Sequence, residues 1–86
     1  MIISIVYLEH GMVITKKEYQ SWREIQDEFG DYKTSLGPWD TKEVTDYLSD
    51  EYPDLSPSAE VQVMKLIENG NESLKLTFND SASIQE

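Results

Sequence analysis

The chain has 86 residues, with 17 Asp and Glu against 7 Lys and Arg, a formal net charge of −10, one His and no Cys. A length near the lower end of the domain range predicts one domain, 1–86, whose folding buries only about 60–65% of the unfolded surface. Zero cysteines exclude a disulfide framework, a thiolate zinc site and a cysteine nucleophile, and the acidic balance argues against direct nucleic-acid binding, which draws its affinity from Lys and Arg.

Residues 2–8 and 12–16 are two β-branched runs separated by Glu9-His10-Gly11, which predicts an antiparallel hairpin. The apolar start has no basic segment before it and no small-residue cleavage pattern after it, so it reads as a strand rather than a signal peptide. No run approaches the ~18 apolar residues of a membrane span, and a soluble, cytoplasmic protein without a membrane partner is expected.

From Glu18 the period changes. Tyr19, Trp22, Ile25 and Phe29 recur at three- and four-residue steps before Gly30, predicting a first helix over 17–29 with those four as its buried stripe. Residues 31–39 contain Gly37-Pro38 and no period, and read as a loop. Asp40 followed by Glu43 is a capping box, so a second helix is expected over 41–51, burying Val44, Tyr47 and Leu48 and ending before Pro53.

Residues 53–59 form a connection. The runs 61–67 and 73–78 then flank Asn69-Gly70, which predicts a second hairpin with Leu74, Leu76 and Phe78 alternating inward. A rival reading makes Ser58 an N-cap and 59–69 a third helix, because Val61, Met64 and Ile67 are also three apart. The tail, 79–86, is polar and expected to fray. The resulting fold class is α+β: a small antiparallel sheet of two hairpins with two helices on one face, in the order ββααββ, or alternatively ββααα plus a final strand.

The charge is uneven. Residues 1–23 carry a net +1, residues 24–54 carry −8 (ten acids against Lys33 and Lys42), and residues 55–86 carry −3. Glu24, Asp27, Glu28 and Asp31 follow the i, i+3, i+4, i+7 spacing of a single helical face, and Glu43, Asp46, Asp50 and Asp54 repeat it on the second helix. Carboxylates on successive turns, about 5–6 Å apart, approach the spacing of nucleic-acid phosphates. Trp39, beside the second helix, is either a core residue stapled onto that helix or an exposed anchor of an interface.

Catalytic patterns are weak. His10 falls in the hairpin turn, no phosphate-binding glycine motif is present, and the acids of 27–40 do not keep the order of a calcium loop. No catalytic residue, cofactor or metal is therefore expected. The expected function is that of a small acidic protein-binding inhibitor of the kind phages and mobile elements encode, a DNA mimic of anti-CRISPR or anti-restriction type. Its partner would be a nucleic-acid-binding enzyme with a basic cleft, and its interface Glu24, Asp27, Glu28, Asp31, Trp39, Glu43, Asp46, Asp50 and Asp54. The chain itself would be a monomer or a homodimer. The alternatives are an accessory subunit of a protein complex whose acids only confer solubility, and a small hydrolase or metal-binding protein.

Overall fold

β-branched residues favour extended backbone, and the first fifteen residues use them to build the centre of the molecule. In a computed structural model that describes residues 2–79, β1 (Ile2–Leu8) and β2 (Gly11–Thr15) form the expected hairpin, with Tyr7 opposite Met12 and Ile5 opposite Ile14. Then follow α1 (Trp22–Glu28), β3 (Tyr32–Asp40), α2 (Thr41–Glu51), α3 (Ala59–Glu68) and β4 (Ser73–Lys75). The four strands make one antiparallel sheet in the order β3-β1-β2-β4.

Because strand side chains alternate between faces, the two central strands face two cores. On one face Ile3, Ile5, Met12 and Ile14 pack with Val44 and Leu48 of α2 and with Ala59, Val63 and Leu66 of α3. On the other, Val6 and Val13 pack against Ile25 of α1, with Tyr19, Phe29 and Tyr32 around them. The class is thus α+β with an antiparallel sheet, as expected. The order is ββαβααβ, and the helices lie on both faces rather than one.

Four local expectations are corrected. Residues 31–39 are mostly strand: β3 pairs along the length of β1, with Leu36 opposite Ile5 and Trp39 opposite Ile3. Its alternation is hidden by register shifts, one of which falls at Gly37-Pro38, and by its place at the sheet edge, where most of its residues remain exposed. Gly37 has φ +98°, and a Cβ there would lie 3.0 Å from the Ile3 carbonyl oxygen and the Trp39 nitrogen, so a side chain at this step is strained.

The first helix is shorter than 17–29, beginning only at Trp22 after the Ser21 N-cap. Of its expected stripe only Ile25 is buried; Tyr19 and Phe29 are half-buried and Trp22 is 53% exposed. Residues 61–67 are helix, as in the rival reading, with Ser58 as N-cap and Ala59, Gln62, Val63 and Leu66 buried at helical spacing. Asn69-Gly70 accordingly follows a helix end rather than making a hairpin turn. The strand after it pairs with β2, so the second hairpin does not form.

Other expectations hold. The α2 box is complete: the Glu43 amide donates to Asp40 Oδ1 at 2.8 Å and the Asp40 amide donates to Glu43 Oε1 at 3.2 Å. Leu74, Leu76 and Phe78 all pack on the larger core. The Lys16 ammonium closes the C-terminal end of α3, donating to the carbonyls of Leu66 at 2.8 Å and Asn69 at 3.0 Å, where the helix dipole favours a cation. The tail expected to fray lies, apart from Asn79, outside the described residues.

Candidate protein interface

The acids of the two expected ridges do not share one surface. α1 covers the face of the smaller core and α2 the face of the larger, and both helices pack against β3. Asp31 lies beyond the end of α1, between that helix and β3, and Asp54 lies beyond α2, so each ridge is one residue shorter than its spacing suggested.

Four of the eight acids have local partners. Glu24 accepts from the Gln20 amide at 2.8 Å, Glu43 belongs to the α2 capping box, and Asp46 pairs with Lys42 at 2.8 Å. Glu28 binds the Lys17 ammonium at 2.9 Å and accepts from the Tyr19 hydroxyl at 3.0 Å. The Lys17 hydrogen bond, more than any other cause, holds the Glu28 carboxyl below its ordinary pKa, and the same contact raises that of Lys17. Among the described residues Asp27, Asp31, Asp50 and Asp54 form no ion pair.

Trp39 is half-buried. Its ring leans on the larger core and meets Tyr47 edge-on at 5.4 Å between centroids, so α2 and β3 hold it jointly. The chain of edge-on contacts continues from Tyr47 to Tyr52 at 6.4 Å and from Tyr52 to Phe78 at 6.1 Å. Beneath this ribbon the Tyr7 hydroxyl lies 2.9 Å from that of Tyr47 and 3.1 Å from that of Tyr52. Burial raises the Tyr7 pKa, and the two hydroxyl contacts raise it further. Sequence patterns miss this cluster because its members come from β1, β3, α2, the residue after α2 and the segment after β4.

On the opposite face a groove of about 330 Å³ opens between the segment leading into α1 and the β1–β3 side of the sheet. Ile2, Trp22 and Pro38 supply apolar wall. Ser4 also lines it, and among the described residues its hydroxyl has no hydrogen-bond partner; Ser21, at the mouth, likewise makes no capping bond. The Arg23 guanidinium stacks over the Trp22 ring at 5.3 Å. The exposure of Trp22 is the one signal that could have located this groove, and helical periodicity assigned that residue to the core.

His10 sits exposed in the β1–β2 turn. Among the described residues no group of three or more His, Asp or Glu side chains is arranged to hold a metal ion, and no helix is long and apolar enough to cross a membrane. No family model, curated protein or solved structure matches the chain.

Proposed function

We propose that the protein acts by binding a basic surface of another protein, occupying the nucleic-acid cleft of an enzyme as a small acidic inhibitor. The observation that carries this reading is the placement of the charge: a net −8 on residues 24–54, most of it on two helices that pack on opposite sides of one edge strand, β3, and the rest on β3 and the residues just beyond the helices. A flat row of carboxylates would suit a flat basic surface. Acids on both sides of a sheet edge suit a cleft with two basic walls, into which that edge enters as a wedge.

Within the wedge the weight falls on Asp27 and Asp31 on one side and Asp50 and Asp54 on the other, because among the described residues these carboxylates form no ion pair, and Glu24 and Glu43 are engaged by backbone amides. Glu28 and Asp46 are paired with lysines, and they contribute less. Trp39 supports the wedge from within, as a β3 residue packed against Tyr47 of α2.

Charge reversal tests the reading. Two variants, Asp27→Lys/Asp31→Lys and Asp50→Lys/Asp54→Lys, are titrated calorimetrically against nucleases with basic clefts, of the Cas and restriction types, at 50 and 300 mM salt. The expected result is binding that weakens at least tenfold with salt and that each variant weakens at least tenfold. Affinity indifferent to both salt and charge reversal overturns the mimic reading and favours an accessory subunit with a solubilising surface.

A further inference from the structure

Four large apolar side chains are exposed among the described residues, and they fall in two pairs. Ile2 and Trp22, 44% and 53% exposed, line the same groove on the α1 side of the sheet. Val61 and Met64, 43% and 44% exposed, sit on α3, which covers the other side. We propose that the two pairs are the two halves of one contact, in which the outer face of α3 in one copy of the chain docks into the groove of the next, so that the protein self-associates head to tail.

The halves match in chemistry. With Ala59, Gln62, Val63 and Leu66 turned into the core, helical geometry places Glu60, Met64 and Glu68 at i, i+4 and i+8 on the solvent side, with Val61 beside them. This is an apolar centre with a carboxylate at either end. The groove has an apolar wall of Ile2, Trp22 and Pro38; the Ser4 and Ser21 hydroxyls line it, and the Arg23 guanidinium, stacked on Trp22, stands beside it, all able to donate to carboxylates, while of the two charged residues in the lining Lys17 is paired with Glu28 and Glu18 is the one acid. Arg23 forms no ion pair among the described residues, and of the three segments 1–23, 24–54 and 55–86 the first alone carries a net positive charge. Met64, unbranched and adaptable, is suited to enter an irregular groove beside an indole.

The two surfaces lie on opposite faces of one sheet, so a single chain cannot join them to each other. A contact between two different surfaces is heterologous, and it propagates into a ring or an open chain. It uses none of the four unpaired aspartates of the wedge, so it stands or falls separately from the proposed inhibitory function.

The experiment is sedimentation velocity from 10 μM to 1 mM in 150 mM salt. The wild-type chain is expected to rise past the mass of a dimer with concentration. A groove variant, Trp22→Ser, and a ridge variant, Val61→Lys/Met64→Lys, are each expected to remain monomeric with unchanged circular dichroism, because every substituted position is exposed. Ile2→Lys provides an independent groove variant with the same expected behaviour. An equimolar mixture of groove and ridge variants retains one intact groove and one intact ridge, and is expected to form a 1:1 dimer and nothing larger. A wild-type chain monomeric up to 1 mM, variants that associate as the wild type does, or a mixture that stays monomeric would each overturn the proposal.

Discussion

Gln62 and Thr77 exchange a reciprocal pair of hydrogen bonds: the Gln62 amide donates to the Thr77 carbonyl at 3.0 Å, and the Thr77 backbone N–H donates to Gln62 Oε1 at 3.0 Å. A third bond runs from the same Gln62 amide to the Pro57 carbonyl at 2.6 Å. At 2% exposure Gln62 stands in the core as a satisfied polar residue, and it fastens α3 to the segment after β4 and to the loop before the helix.

Replacing Gln62 with Leu keeps the volume but removes the partners of the Thr77 N–H and the Pro57 carbonyl, while the Thr77 carbonyl keeps the Ser56 N–H at 3.1 Å. Burying such groups unpaired costs about 1–3 kcal/mol each, partly relieved where water reaches them. Gln62→Leu is therefore expected to lose about 2–4 kcal/mol in urea denaturation. A loss below about 0.5 kcal/mol would show that the clasp contributes nothing net.

Tyr7 predicts a pH dependence. Its folded-state pKa is raised above the ordinary 10.0, chiefly by burial and then by the hydroxyls of Tyr47 and Tyr52. The folded state thus holds the phenol proton more tightly than the unfolded state does. The corresponding stability is fully present below about pH 10 and declines as pH rises beyond it. Urea midpoints measured from pH 7 to 11 should fall above pH 10, and Tyr7→Phe should lower stability by about 1 kcal/mol at pH 7 while flattening the alkaline decline. An equally steep decline in Tyr7→Phe would assign it to other groups.

Gly37 carries the strand step that sets the β3 register against β1. Alanine there would have to hold φ near +98° and place its Cβ 3.0 Å from the Ile3 carbonyl oxygen. Gly37→Ala is expected to cost about 1–3 kcal/mol. Gly70, where a Cβ would meet nothing within 4 Å, is the control, with Gly70→Ala changing the thermal midpoint little.

Where a local pattern agreed with its surroundings, the sequence was legible. The β1–β2 hairpin, the Asp40–Glu43 box and the Val44–Leu48 stripe each rest on neighbours within a few residues. The run Ile2-Ile3-Ser4-Ile5-Val6 carries a second signal. A strand covered on one face alternates, whereas a strand covered on both reads as a nearly continuous apolar run, and that is the arrangement β1 has. Residues 61–67 were ambiguous because Val61, Val63 and Met64 suit either period; the burial of polar Gln62 beside Val63 and Leu66 resolves them as helix.

Residue order and composition together determined the class of molecule: a short, acidic, cysteine-free α+β chain with its negative charge concentrated in residues 24–54. Tertiary structure decided where that charge points. Spacing along a helix fixes which carboxylates share that helix's face, but not which face of a sheet the helix covers. That depends on the partition of Ile3 and Ile5 to one core and Val6 to the other. Because β1 needs cover on both sides, α1 and α2 separate, and a charge that reads in one dimension as a single acidic block becomes two acidic flanks around an edge strand.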